Sequence, residues 1–263
     1  MIMQRYFPFR SIRNQYQLRV SHELQIYVLK SLRDLLFLAM EFFIENTSVQ
    51  LISSVEHNHT PLRDLAYEFL RKITSRKQIC TATGLSVENL AIIWVFFCFL
   101  NGSKGLTVVQ KGARCLLIAR TLRICLFSMT VLPSPKPRCN FTDPINPFRI
   151  RVGGACNDLL YSGHVTIYTL TAISFTILSR QYSSRILRYG LPILIWFHII
   201  QRILCTILER HHYSIDMFLG FIVTLLIWQC KPLHIDLPEV PQNLFLHLKQ
   251  LVFPQFRSSL KEV

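Results

Sequence analysis

The stretch Ala155-Cys156-Asn157-Asp158-Leu159-Leu160-Tyr161-Ser162-Gly163-His164 leads directly into an apolar segment, Val165 to Leu178. A polar, proline-rich segment precedes it, so the sequence predicts a helix that begins close to Ser162 and enters apolar surroundings. The first N–H groups of a helix lack internal partners, and the helix dipole favours negative charge there. Ser-Gly-His at this position therefore indicates a candidate anion site with a titratable histidine. The structural alternative is an N-cap serine followed by a packed histidine.

The composition of the chain is typical of a membrane protein with several spans. Of its 263 residues, 51% are hydrophobic and only 17% are charged, whereas about a quarter are charged in soluble domains. The formal net charge is +14. The basic residues flank apolar runs instead of forming one stripe, which argues against nucleic-acid binding. They favour contact with anionic headgroups and a positive-inside bias.

Five apolar runs predict membrane-spanning helices, and a weaker sixth run precedes them. The five runs are 87–100 (extended by 106–109), 114–132, 159–178, 189–208 and 215–230. The weak run, 24–55, contains Arg33, Asp34, Glu41 and Glu45, and a charge at bilayer depth is costly. An amphipathic surface helix is the alternative for this run. The expected fold is all-α, a multi-pass transmembrane bundle of six spans with a weak first one.

An even number of spans places both tails on one side of the membrane. Residues 1–23 are predicted to be a basic cytosolic tail, 24–230 the membrane domain with its core at 114–230, and 231–263 a second cytosolic tail.

The connections between the spans then alternate between the two sides of the membrane. Connections 101–113 and 179–188 are cytosolic in this arrangement, and their lysines and arginines agree with the positive-inside rule. Connections 133–158 and 209–213 lie on the opposite side, which is lumenal or exoplasmic. Both polar segments with histidines therefore face the same aqueous side.

The eight cysteines have no metal-ligand spacing. Most lie in or beside apolar runs, which predicts small buried residues. Cys139 and Cys156 bracket a polar loop and would form a disulfide if that loop is lumenal.

A second polar island, 210–216, also opens an apolar helix. His212 and Asp216 are four residues apart, so they share one face if this link is helical. An Asp–His pair fixes the imidazole tautomer and makes His212 a competent nucleophile toward phosphorus. His164 can protonate a leaving oxygen and later deprotonate a hydroxyl. The structural alternative for His212 is an interfacial histidine whose hydrogen bonds are satisfied.

Five further residues are candidates for binding phosphate or substrate. Ser162 and Gly163 supply donors at a helix start, and Asp158 opens the same island. Arg123 lies within an apolar run, where it either binds phosphate or snorkels to an interface. His211 is a phosphate donor or a merely interfacial residue. Proton transfer and charge stabilisation are provided by these groups without a metal or a cofactor.

These residues resemble a known family. Cys156-Asn157-Asp158-Leu159-Leu160-Tyr161-Ser162-Gly163-His164 and His212-Tyr213-Ser214-Ile215-Asp216 resemble the C-terminal motifs of the sphingomyelin synthase and inositol phosphorylceramide synthase family, within the lipid phosphate phosphatase (PAP2-like) superfamily. Similarity to its upstream segment is carried by Leu122-Arg123, Thr130, Leu132-Pro133-Ser134-Pro135 and Cys139. Pro61-Leu62-Arg63-Asp64-Leu65 is similar to a Pro-Leu-x-Asp-Leu element of its first long loop.

The resemblance implies a six-span synthase of the Golgi, endoplasmic reticulum or plasma membrane with a lumenal or exoplasmic active site. Such enzymes move a phosphoalcohol headgroup from a glycerophospholipid to the primary hydroxyl of ceramide and release diacylglycerol. Carried over, His212 is the nucleophile that forms a phosphohistidine, Asp216 orients it, and His164 is the acid and base. The resemblance implies no metal and no cofactor.

Some positions depart from the family patterns. Asn157 replaces a glycine and Val165 a frequent threonine. The phosphatase branch usually has Arg-Pro, Pro-Ser-Gly-His and an arginine six residues before the second histidine. Here Arg-Pro is missing, Tyr161 replaces the proline, and Thr206 occupies the arginine position. Hydrolysis of a lipid phosphate or phosphodiester is the enzymatic alternative, and a non-catalytic membrane regulatory protein on this scaffold is the other.

Overall fold

The computed structural model describes residues 9–54, 60–74, 80, 87–130, 132–136 and 160–230, and all regular structure among them is helical. Seven α-helices lie within these residues: α1 (Phe9–Ser54), α2 (Leu65–Ile73), α3 (Val87–Leu100), α4 (Gly102–Met129), α5 (Gly163–Ser179), α6 (Leu191–Leu208) and α7 (Ser214–Gln229). A π-helical segment, Ile186–Gly190, leads into α6. The all-α prediction is confirmed.

Helices α3 and α4 form a tight hairpin. Gly102 has a φ of 69°, a left-handed conformation that glycine adopts without steric cost. A Cβ at Gly105 would lie 1.7 Å from the carbonyl oxygen of Cys98, so only glycine permits this approach. The prediction of a connection at 101–113 is wrong, because the chain is helical from Gly102 onward. Residues 106–109 consequently extend α4 and not the preceding helix.

Helix α1 turns its charged face inward and its apolar face outward. Its buried acids pair with arginines of α4 in the same order along both helices, so the two helices run parallel. The pairs are Asp34–Arg114 at 2.8 Å, Glu41–Arg120 at 3.2 Å, Glu45–Arg120 and Glu45–Arg123. Large exposed apolar side chains occupy the outer face, including Leu36, Phe37, Met40, Phe43 and Ile44. The three acids that weaken the first predicted span are thus buried and paired with arginines, whereas Arg33 pairs with Asp34 from an exposed position.

One helical stretch among the described residues, Ile186–Leu208, is long and apolar enough to cross a bilayer. It has 23 residues, and only 17% of its most apolar window is buried. Three shorter apolar helical stretches accompany it: Asn89–Leu100, Gly163–Ser179 and Ser214–Gln229. The number of spans stays a prediction.

Helix α5 is largely buried and contacts α3, α4, α6 and α7. Several of its hydroxyl groups donate to carbonyl oxygens one turn earlier in the helix: Thr169 to Val165 at 2.8 Å and Ser174 to Leu170 at 2.7 Å, among others. At Gly220 of α7 a Cβ would lie 2.9 Å from the Ser162 carbonyl oxygen. The starts of α5 and α7 therefore meet at one end of the bundle.

A disulfide joins Cys80 to Cys205 in the last turn of α6. Cys205 is buried, as the sequence predicts, but its disulfide with Cys80, which bridges 125 residues of sequence, is not among the predictions. Cys139 and Cys156 lie outside the described residues.

Candidate active site

Two histidines meet where α5 and α7 begin. His164 is in the first turn of α5, and His212 lies in the 209–213 link that joins α6 to α7. Their ring centroids are 6.0 Å apart, and the ring planes are inclined by 63°. The structure thus brings together the two polar islands in which the sequence predicts catalytic residues.

The link around His212 is bent and is not helical. Arg210 has a φ of 54°, a left-handed conformation that costs a non-glycine residue about 1–2 kcal/mol. Its guanidinium carbon lies 4.5 Å from the centre of the Tyr67 ring of α2. The sequence predicts that His212 and Asp216 share one helix face if the link between them is helical. Because α7 begins only at Ser214, His212 lies before the helix and the condition is not met.

Asp216 caps α7 from a fully buried position. Its Oδ2 accepts the Tyr213 N–H at 2.9 Å, and its carbonyl oxygen accepts the Ser162 N–H at 3.2 Å. His212 is only 7% exposed, and its Nδ1 has no hydrogen-bond partner among the described residues. Asp216 therefore joins the starts of both helices, and its predicted role as the orienting partner of His212 remains a proposal.

The surroundings of His212 favour its neutral form. Burial, together with the positive groups of His164, Arg123, His211 and Lys136, holds its pKa well below the usual histidine value. A neutral imidazole has a lone pair available at neutral pH. The same positive groups would attract an anionic phosphate. Lys136 is not among the residues predicted from the sequence, although it lies within the family-like upstream block, between Pro135 and Cys139.

Arg123 is buried beneath the start of α5. Its Nε donates to the Tyr161 carbonyl oxygen at 2.7 Å, and its Nη1 pairs with Glu45 of α1. A Cβ added at Gly163 would lie 3.5 Å from Nη1. Snorkelling is therefore the wrong interpretation of Arg123. Glu45, the acid that holds it, was counted in the sequence only as a charge that weakens the first span.

The other predicted phosphate ligands differ in their placement. Ser162 is fully buried, and its Oγ makes no hydrogen bond within the described part of the chain. His211 is more exposed, with Nε2 at 3.5 Å from a carboxylate oxygen of Glu209. Asp158 lies outside the described residues. The first island thus offers a buried hydroxyl next to His164 in the sequence, whereas the His211 side chain is exposed.

Two residues outside the predicted set hold the link in place. Asp64 accepts hydrogen bonds from the backbone N–H and from the hydroxyl of Ser214, both at 2.8 Å. The Tyr213 hydroxyl accepts the Leu62 N–H at 2.9 Å and donates to the Pro133 carbonyl at 3.0 Å. The similarity of Pro61-Leu62-Arg63-Asp64-Leu65 to a family element was the sequence signal for this contact.

One group of potential metal ligands occurs among the described residues. The ligand atoms of Cys80, Cys205 and Glu209 lie within 4.8 Å of one another. The disulfide occupies both sulfur atoms, which leaves a single carboxylate. In this form the group is a covalent crosslink beside the link and does not provide thiolate ligands.

Comparison with known proteins supports the resemblance in the C-terminal half. Residues 155–233 match the family model described as PAP2 superfamily C-terminal. The predicted resemblance is confirmed. The match contains both histidines and Asp216, together with helices α5 to α7.

Three curated relatives show how far the similarity extends. The Protein PHLOEM UNLOADING MODULATOR of Arabidopsis thaliana is 35% identical over 79 residues, 30% of this chain and 17% of that protein. Phosphatidylinositol:ceramide inositolphosphotransferase 2 of Arabidopsis thaliana is 27% identical over 211 residues, 72% of this chain and 66% of that protein. Phosphatidylcholine:ceramide cholinephosphotransferase 1 of Homo sapiens is 24% identical over 189 residues, 64% of this chain and 43% of that protein. The chain spans less than two thirds of the length of each of these relatives.

Proposed function

We propose that the protein transfers a phosphoalcohol headgroup from a glycerophospholipid to ceramide and releases diacylglycerol. The single observation that carries this proposal is the histidine pair, in which the buried His212 lies 6.0 Å, ring to ring, from His164. Similarity to two proteins named as ceramide phosphotransferases, at 27% and 24% identity, supports the choice of lipid substrates.

In the first step, a ring nitrogen of His212 attacks the phosphorus of the donor phosphodiester. A phosphorus–nitrogen bond forms, and the bond from phosphorus to the diacylglycerol oxygen breaks. Protonated His164 gives its proton to that oxygen, so that diacylglycerol leaves as a neutral alcohol. The headgroup remains on His212 as a phosphohistidine diester, and His164 is left neutral.

In the second step, the primary hydroxyl of ceramide attacks the same phosphorus. Neutral His164 accepts the hydroxyl proton while the phosphorus–nitrogen bond breaks, which restores both histidines to their starting states. Asp216 is proposed to stabilise positive charge on His212 when the ring carries the phosphoryl group. No water is consumed when ceramide is the acceptor.

Positive groups and a helix start are proposed to hold the phosphate oxygens during both steps. Ser162 and Gly163 begin α5, whose first N–H groups and dipole favour an anion. Arg123 contributes positive charge from beneath this turn, and Lys136 contributes it to the surroundings of His212. The proposed role of Arg123 combines charge with support of the Tyr161–Gly163 backbone.

The site end of the bundle is proposed to face a lumen or the cell exterior, with six spans crossing the membrane. The Cys80–Cys205 disulfide supports this orientation, because Cys205 lies one turn before the 209–213 link and disulfides persist in oxidising compartments. Alkylation of intact membranes followed by peptide mapping tests it. Reduced Cys80 and Cys205 in correctly folded protein would contradict this orientation.

A donor-resolved lipid assay tests the proposed function. The full chain is reconstituted in vesicles with labelled ceramide and one donor at a time, which is phosphatidylcholine, phosphatidylethanolamine or phosphatidylinositol. We expect one donor to yield equal amounts of labelled phosphosphingolipid and diacylglycerol. The proposal fails if no donor yields product in vesicles where an authentic synthase is active.

The enzymatic alternative uses water in place of ceramide. The match to the PAP2 superfamily model favours retaining this hydrolytic alternative. The same two histidines could catalyse attack of water on the phosphohistidine. Diacylglycerol released at an undiminished rate without ceramide would identify a hydrolase. A regulatory protein without catalysis would release neither product, and His164→Ala and His212→Ala variants would then retain the cellular phenotype.

A further inference from the structure

We propose that Asp64 is a positioning residue that fixes the link carrying His212 by bonding to the start of α7. This inference rests on the proposed function, because it concerns the nucleophile of that reaction. It assigns a mechanistic task to helix α2, which contributes no chemical group to the two-histidine site.

The Asp64 carboxylate serves two helices at once. Oδ1 accepts the Tyr67 N–H of α2 at 3.1 Å and the Ser214 hydroxyl at 2.8 Å, while Oδ2 accepts the Ser214 N–H at 2.8 Å. Ser214 is the first residue of α7, where the backbone N–H has no partner inside the helix. One carboxylate thus caps α2 and binds an otherwise orphaned donor of α7, 150 residues away in the sequence.

The same segment of the chain holds the link on both sides of His212. Before the histidine, the Arg210 guanidinium stacks on the Tyr67 ring. After it, the Leu62 N–H binds the Tyr213 hydroxyl, and Asp64 binds Ser214. The Tyr213 hydroxyl also donates to the Pro133 carbonyl, so residues 62–67 act together with one further contact from outside the two helices that the link joins.

The electrostatics of Asp64 suit this task. Burial raises the pKa of the carboxyl, but hydrogen bonds from Ser214 and Tyr67 outweigh burial and bring the pKa below its usual value. The group is therefore ionised at neutral pH. Hydrogen bonds to a carboxylate are shorter and stronger than those between neutral groups, so Asp64 restricts Ser214 more firmly than asparagine would.

Helix α2 makes only a small contribution to the core, which separates positioning from folding. None of its own residues is fully buried, although Tyr67 and Leu70 pack on the cluster of Val165, Ile207 and Met217. Loss of the Asp64 contacts should release the link while the bundle of α3 to α7 stays assembled. A misplacement of a catalytic group by about 1 Å can cost about a hundredfold in rate.

The test compares Asp64→Ala and Asp64→Asn in full-length protein reconstituted in vesicles. We expect Asp64→Ala to lower kcat for headgroup transfer by about 10- to 100-fold while KM for the donor lipid changes less than about threefold. Asp64→Asn, which keeps one acceptor oxygen, should lose less. Orthovanadate, an analogue of the five-coordinate phosphorus, should bind Asp64→Ala at least about tenfold more weakly by calorimetry.

The matched control is Glu68→Gln, which removes a carboxylate one turn further along the same helix. Glu68 pairs with the exposed Arg63 and makes no contact with the link in the part of the chain that the structure describes. We expect its kcat, its vanadate affinity and its unfolding temperature to match those of the unaltered protein.

Each outcome decides between the two claims. The positioning role is overturned if folded Asp64→Ala retains kcat and vanadate affinity within about twofold, or if its loss of activity only equals its loss of folded protein. If Asp64→Ala does not fold, Asp64→Asn takes its place, because it removes the charge and one of the two oxygens that bind Ser214, and undiminished kcat and vanadate affinity there overturn the role. Unaltered protein that binds vanadate but transfers no headgroup contradicts the proposed function and leaves the vanadate comparison to decide the role of Asp64.

Discussion

The N-terminal segment, 9–74, and the C-terminal core, 160–230, contribute to the site in different ways. The core contains the proposed reacting groups, His164 and His212, which lie beside its own helix starts. The N-terminal segment supplies supports through contacts with distant partners. Glu45 reaches Arg123 across 78 residues, and Asp64 reaches Ser214 across 150.

This difference indicates that the proposed reacting groups and the residues that hold them come from separate parts of the chain. The family match covers 155–233 and therefore contains the histidines, but neither Glu45 nor Asp64. A comparison restricted to that region would include the proposed reacting groups and omit the residues that hold them. The predictions below test this division, beginning with the largest expected effect.

Replacing either histidine of the core should nearly abolish activity. We expect His212→Gln and His164→Gln each to lower kcat for headgroup transfer by about a thousandfold or more, because one loses the nucleophile and the other the acid and base. The measurement is product formation per folded protein. His198→Gln in α6 is the control. Comparable losses in all three variants would contradict the proposed roles of His164 and His212 as the reacting groups.

Replacing a support in the N-terminal segment should have a smaller effect that combines stability with rate. Glu45→Gln leaves Arg123 buried without its carboxylate, and breaking a buried pair costs about 3–5 kcal/mol. We expect a lower unfolding temperature and a loss of kcat of about tenfold, because Arg123 also holds the Tyr161 carbonyl.

The matched control for that prediction lies on the same helix face. Asp34→Asn breaks the buried pair with Arg114, and Asp34 is 11 residues from Glu45, which is roughly 16 Å along the helix. Stability should fall in this variant while kcat per folded protein stays unchanged. Equal losses of kcat in Asp34→Asn and Glu45→Gln would show that α1 acts only through stability.

The smallest expected effect is a pH dependence of stability that originates at His212. Its folded pKa is depressed, so below its usual pKa of about 6.5 the unfolded state binds more protons than the folded state. The contribution to stability is present above that value and is lost as the pH falls. Between about pH 7.5 and about pH 5.5 the loss is about 1.4 kcal/mol if His212 stays neutral in the folded protein.

Unfolding of the unaltered protein and of His212→Gln over the same pH range isolates this contribution. The unaltered protein should lose more stability toward acid pH, since the variant lacks the titrating ring. Parallel curves would contradict the depressed pKa and the buried setting of His212.

Much of the site could be predicted from local sequence. The helix start at Ser162 follows from an N-cap residue before an apolar run, and the structure places the N-terminus of α5 there. The hairpin of α3 and α4 was not predicted, because its turn rests on the left-handed Gly102 and the next helix begins with polar residues. The local sequence also suggested a helical link around His212, but the left-handed conformation of Arg210 bends the chain there.

The supports could not be predicted because they depend on pairings between distant residues. In the sequence, Glu41 and Glu45 are charges that weaken a span, and Arg123 is an isolated charge in another. Only the parallel packing of α1 on α4 turns these costs into buried ion pairs. The spacing of Asp34, Glu41 and Glu45, which places them on one helix face, was the signal available.

The most direct test of the central claim is to trap the covalent intermediate. The protein is incubated with the donor lipid without ceramide, quenched in alkali, where phosphohistidine persists, and digested for mass spectrometry. We predict a phosphoalcohol adduct on His212 that disappears on addition of ceramide with formation of the phosphosphingolipid. An adduct on His164, or efficient transfer with no adduct on His212 at any time, would contradict this account.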